Sequence, residues 1–193
     1  DHRLLVPTGS SGCKTKLDNQ RYFIEFALKS GGLITHESPQ DAVLLVDSDV
    51  IDVNNVAKDL QESVKGLLPD NVTGVKIHLR NEVIEGAFYH YTHGLQKHLG
   101  QCQRIAHGHR SRIEILTDGA RNTQLEAHWA NKLKDGYIAT ECHILDKFQL
   151  NGIEHTRMAY HAQQGDFAIS LPSDKVFTMP MESTVENIAK YLA

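Results

Sequence analysis

Apolar and polar positions alternate with period two in several short stretches and with helical spacing in others. Tyr22, Ile24, Phe26 and Leu28 alternate with more polar partners, which predicts a strand over 21–28 that Gly31-Gly32 breaks. Val53, Val56, Ala57, Leu60, Val64, Leu67 and Leu68 recur at helical spacing behind Asp52, an N-cap residue, and Pro69-Asp70-Asn71 stops that helix. Val75, Ile77 and Leu79 predict a strand, as do 87–93, 107–116 and the run Phe167, Ile169, Leu171. Leu125, Trp129 and Leu133 predict a helix near 122–134, and Val185, Ile188, Ala189 and Leu192 a last one. Strands and helices mixed in this way predict an α+β fold.

One pattern occurs twice. The stretch from Asp52 to Leu60 matches that from Thr184 to Leu192 at five identical positions: Val53/Val185, Asn55/Asn187, Ala57/Ala189, Lys58/Lys190 and Leu60/Leu192. The cap changes from Asp to Thr, and Val56 becomes Ile188. Each copy follows an apolar strand and a short loop, at 43–46 and 176–179, which predicts a tandem duplication. The notable difference is Asn54 against Glu186, a carboxylate in the second copy only.

Candidate chemistry clusters near the middle of the chain. Five of the twelve histidines lie between His90 and His109, ending in His107-Gly108-His109, with Cys102 just upstream. On a strand, a His-x-His pair points both rings to one face. His107, His109, Ser111, Ile113 and Ile115 share a parity, while Arg110, Arg112 and Glu114 share the other. A third histidine alongside would complete a three-histidine site with one open position, the arrangement of catalytic rather than structural zinc. The bland alternative is a polar loop that collected histidines by chance. A structural zinc site is disfavoured because Cys-x-x-Cys spacing is absent.

Composition narrows the classes. A net charge of −4 argues against nucleic acid or an anionic membrane as the main partner, and no apolar run approaches a membrane span. Cys13, Cys102 and Cys142 are odd in number and scattered, which predicts free thiols in a reducing cytoplasm. The chain opens at Asp1-His2, close to the apolar run Leu4-Leu5-Val6-Pro7, as expected of a piece of a longer polypeptide.

His93 at the end of an aromatic strand, then Cys102, then His107-Gly108-His109, then Thr184-x-Glu186-Asn187 opening a helix: this combination resembles the 6-pyruvoyl-tetrahydropterin synthase and 6-carboxytetrahydropterin synthase family. The resemblance implies a tunnelling fold, in which antiparallel four-stranded sheets with helices on one face join into barrels. It implies two tandem units here, 1–80 lacking its opening strands and 81–193 carrying the site. It further implies zinc on His93, His107 and His109, Cys102 as the catalytic thiol, and Asp1-His2 as its partner dyad. Glu186 takes the place of the residue that anchors the pterin ring.

The implied reaction is a zinc-dependent lyase step on 7,8-dihydroneopterin triphosphate to 6-carboxy-5,6,7,8-tetrahydropterin, as in queuosine biosynthesis. The 6-pyruvoyl product and a non-catalytic pterin-binding or scaffold role are the alternatives. A homo-oligomer is implied as well. Arg104, Arg110 and Arg112 could meet the triphosphate or line a solvated strand edge. The sequence departs from the family pattern at Arg110-Ser111, in an insertion over 118–148 without simple counterpart, and in lacking Asp-His in the second unit, where His143 with Asp146 is a weak substitute.

Overall fold

The computed structural model describes residues 2–193. Its first run of elements is β1 (Leu4–Pro7), β2 (Cys13–Asp18), β3 (Arg21–Ala27), β4 (Leu33–Pro39), β5 (Val43–Val46) and α1 (Val53–Lys65). Residues 66–87 form no helix or strand. Then come β6 (Phe88–His93), β7 (His107–Arg112), the short β8 (Leu116–Thr117) and β9 (Ala120–Arg121), and α2 (Thr123–Leu133). The chain continues with β10 (Gly136–Thr140), β11 (Ile144–Leu150), β12 (Ile153–Ala162), β13 (Gly165–Pro172), β14 (Val176–Met179) and α3 (Val185–Leu192).

The run β10–β14 and α3 repeats the order of β1–β5 and α1. The register repeats too. Leu4 faces Val43 in the parallel pair β1–β5, and Tyr137 faces Val176 in the parallel pair β10–β14, at the same sequence separation. Between the paired ends, β2–β3–β4 and β11–β12–β13 each form an antiparallel meander. Tight turns close the hairpins. Asn151 (φ 52°) and Gly152 (φ 77°) both adopt the left-handed conformation that a two-residue hairpin loop requires.

The meanders join edge to edge through β4 and β13 into one six-stranded antiparallel sheet, ordered β11-β12-β13-β4-β3-β2. At the centre of that seam His36 faces Ile169. These positions correspond, since His36 stands as far after Leu4 as Ile169 stands after Tyr137, so the seam has an approximate twofold. Thr35 and Ser170 bond across it through their hydroxyls at 2.6 Å.

A second sheet, β14-β10-β6-β7, forms a layer of its own. Tyr137 and Ala139 pack with Met158, Phe167, Ile169 and Leu171 of the six-stranded sheet. On the other side Tyr89, Tyr91, Ile138 and Met179 pack with Ala130 and Leu133 of α2 and Ile188 of α3. The fold is therefore α+β, with helices on one face of the smaller sheet and the larger sheet on its other face.

Several expectations are corrected. The smaller sheet is mixed rather than fully antiparallel, because β10 runs parallel to both β6 and β14. Val75, Ile77 and Leu79 pair with no strand among the described residues; the Ile77 amide donates instead to Gln61 Oε1 of α1 at 3.4 Å. The strand expected to reach 116 stops at Arg112. Glu126 Oε1 accepts from the Ile115 amide at 3.2 Å and the Ile115 carbonyl from the Asn122 amide at 2.8 Å, which bends the chain into the β8–β9 ribbon. Within the stretch 118–148, β10 and β11 repeat β1 and β2 of the first run.

Candidate metal centre

Strands β6 and β7 build the site. Their antiparallel register sets His93 directly opposite His107 and Tyr91 opposite His109. Period-two alternation then brings the three rings to one face at the end of the hairpin. Ring centroids lie 4.5 Å apart for His93–His107, 4.9 Å for His93–His109 and 5.1 Å for His107–His109. His93 and His107 are each 2 % exposed. The Tyr91 ring stacks beside His109 at 5.6 Å.

The far nitrogens of the two buried rings are held. His93 Nδ1 bonds Ser183 Oγ at 2.9 Å, and His107 Nδ1 bonds the carbonyl of Arg104 at 2.8 Å. A carbonyl only accepts, so His107 carries its proton on Nδ1 and leaves Nε2 with a bare lone pair. The Nε2 atoms of His93 and His107 are buried without a partner. A buried polar atom without a partner costs about 1–3 kcal/mol, and a metal ion would relieve two such costs at once.

The three histidines could hold a metal ion: one ligand atom from each lies within 4.8 Å of the others. Burial keeps the rings neutral, as a metal ligand must be. It pushes His93 to about 3, helped by the charges of His107 and His109, and His107 to about 4. His109 is also lowered, first by burial and then by His2.

His2 reaches the cluster from the first run of elements. Its ring lies 5.0 Å from that of His107 and 6.2 Å from that of His109, and its amide donates to Gln101 Oε1 at 3.3 Å. Burial lowers its pKa. Asp1 lies outside the described residues. At the corresponding place before β10 stand Lys134-Asp135, and the Asp135 amide donates to the carbonyl of His90 at 2.7 Å. The substitute dyad of His143 and Asp146 does not form: His143 Nε2 bonds Gln96 Oε1 at 3.0 Å, and Asp146 pairs with Arg157.

The other expected residues lie around this cluster rather than in it. Cys102 sits in the short helical turn Gly100–Gln103, and its carbonyl accepts from the Leu95 amide at 2.9 Å, two residues beyond His93. That bond is made by the backbone, not by the thiol. Glu186, in the first turn of α3, folds back on its own amide and on the Thr184 hydroxyl, which lower its pKa. His98 also acts on Glu186, and it acts on His107 as well.

His90 and Arg110 fall on the opposite parity. Arg110 Nε bonds His90 Nε2 at 2.6 Å, and Arg110 Nη1 bonds the Glu82 carbonyl at 2.5 Å. Together with Thr92, Gly108, His109 and Asp135 they line an open cavity of about 490 Å³. Arg112 pairs with Glu114 at 3.3 Å. Arg104 bonds Gln164 Oε1 at 3.2 Å and, with Arg3, Asp41 and Gln101, lines a depression of about 420 Å³. Sequence reasoning passed over Ser183 and Tyr91. Tyr91 was readable, because it shares the parity of His93; Ser183 lies 90 residues from its partner and carries no local signal.

No helix among the described residues is long and apolar enough to cross a membrane. No family model, curated protein or solved structure matches the chain.

Proposed function

We propose that this chain is a zinc-dependent lyase of the tetrahydropterin-synthase type, acting on 7,8-dihydroneopterin triphosphate to give 6-carboxy-5,6,7,8-tetrahydropterin. The observation that carries the reading is the pair of buried, unpartnered Nε2 atoms on His93 and His107 converging with His109. Zinc bound there would supply Lewis acidity to hydroxyls on a bound substrate.

The chain's own residues supply the rest. His2, whose ring lies at the edge of the cluster, is the proposed proton carrier beside the thiol. Cys102 is the proposed base for the side-chain proton, on the turn whose backbone is tied to the residues following His93. Glu186 is the proposed pterin anchor, and binding would require its carboxylate to leave the Thr184 hydroxyl for the ring N–H groups. Arg104, which lines a depression with Arg3, Asp41 and Gln101, is the proposed contact for the triphosphate.

The unit fold belongs to the same proposal. Helices lie on one face of the smaller sheet, as in a tunnelling fold, although two of its strand pairs are parallel. Among the described residues the outer strands β2, β11, β7 and β14 have one unpaired edge each, and closing them against further copies would make a homo-oligomer.

The test is to incubate the zinc-loaded protein with dihydroneopterin triphosphate and identify the products by chromatography. The 6-carboxy product with acetaldehyde supports the proposal. The 6-pyruvoyl product with triphosphate moves it to the sister reaction, and zinc and pterin binding without turnover makes the chain a binder. Cys102→Ala should retain zinc and lose at least a hundredfold in turnover, and full turnover would remove the thiol from the mechanism.

A further inference from the structure

We propose that Ser183 is the positioning residue of the metal centre, fixing the His93 ring so that Nε2 faces the other two histidines. The proposal rests on the three-histidine cluster taking a metal, and on nothing about the pterin reaction.

Ser183 is fully buried. Its hydroxyl bonds His93 Nδ1 at 2.9 Å and points onward to the carbonyl of Ile138 at 3.5 Å. A carbonyl accepts but cannot donate, so the serine proton belongs on the Ile138 side and the serine oxygen then accepts from His93 Nδ1–H. That chain of two bonds leaves His93 Nε2 as a bare lone pair, the state His107 reaches directly through the Arg104 carbonyl. Both buried rings thereby present Nε2 to the cluster, one through a hydroxyl and one through a backbone oxygen.

The hydroxyl itself is held still. Ser183 lies in the loop between β14 and α3. Glu182 Oε1 accepts from the Lys97 amide at 3.0 Å, and the Glu182 carbonyl accepts from Asn187 Nδ2 at 2.8 Å. On the other side Thr184 caps α3 by accepting from the Asn187 amide at 3.3 Å. The loop thus grips the strand that carries His93 at two points, the ring through Ser183 and the following turn through Glu182. A hydroxyl on such a loop cannot follow a ring that swings away, so the ring is oriented before any ion arrives.

Two measurements test this. Long-range ¹H–¹⁵N NMR on metal-free protein should find His93 protonated on Nδ1; protonation on Nε2 in the wild-type chain would overturn the proposal without any variant. Competition of Zn²⁺ against a chromophoric chelator should show Ser183→Ala weakened roughly 10–100-fold and Ser183→Thr within a few-fold of wild type. Wild-type affinity in Ser183→Ala, or an equal loss in Ser183→Thr with an unchanged His93 tautomer, would reduce Ser183 to packing. If the wild-type chain takes up no Zn²⁺ at all, the metal reading has failed, and the tautomer alone decides whether Ser183 sets the ring.

Discussion

The two runs of strand and helix use the same order of elements and the same helix pattern, yet their helices end in different surroundings. Helix α1 is well capped, with Asp52 accepting from the amides of Asn54 and Asn55 at 2.7 and 2.9 Å, but none of its residues is buried. Helix α3 has one Thr184 cap bond and buries Ile188 to 3 % exposure. The difference is the sheet beneath. β10 and β14 are extended by β6 and β7, and Tyr89 and Tyr91 of β6 pack in one cluster with Ile188, whereas β1 and β5 form a two-stranded ladder by themselves. Helix formation here follows from local caps and periodicity, and burial follows from strands far away in sequence. The added strands that bury α3 are also the ones that carry the histidines.

The largest effect expected of a single change is on metal. His107→Ala should lower Zn²⁺ affinity by well over a hundredfold, while His78→Ala, between α1 and β6, should leave it unchanged; equal losses would dissolve the contrast between the two regions. Next is packing. Ile188→Ala should cost about 2–5 kcal/mol in urea denaturation, and its half-buried counterpart Val56→Ala under about 1 kcal/mol, so similar costs would mean α1 is covered in solution.

The third concerns the seam. Burial lowers the pKa of His36 to about 4. Unfolded, the ring titrates near 6.5, so between those values the unfolded chain binds the extra proton. This contribution is complete above pH 6.5 and falls by up to about 3 kcal/mol as the pH drops to 4. His36→Ile, which copies Ile169 from the corresponding place, should flatten that acid limb in denaturation curves taken at pH 7 and 4.5. An unaltered limb would assign the acid sensitivity elsewhere. The smallest effect is at the proposed anchor. Glu186→Gln should weaken pterin binding about tenfold by calorimetry, and Asn54→Ala not at all.

Much of the site could be read from the chain because its rules are local. Parity put His107 and His109 on one face, whereas His93 was singled out as the third ring by the family resemblance and not by alternation. Asp52 and Thr184 were legible caps for the same reason. The meanders were harder. Asn151-Gly152 is a strong hairpin signal that went unread, although β11 and β12 flank it. Strand β4, Leu-Ile-Thr-His-Glu-Ser-Pro, alternates too weakly to stand out, and only its neighbours β3 and β13 make it a strand. The Ser183–His93 bond and the turn of the chain at Ile115 depend on contacts that no window of residues contains. Val75, Ile77 and Leu79 failed in the opposite sense, since alternation states a preference for pairing and cannot supply the partner.

The seam between β4 and β13 also fixes an order of events in time. Thr35 and Ser170, which bond across it, are 135 residues apart, so β4 leaves the ribosome long before the strand that will cover its edge exists. Closing a loop of that length is slow compared with forming either hairpin. During synthesis the first meander therefore waits with an open edge, and chaperone capture or pairing with another nascent chain competes with completion until β13 arrives.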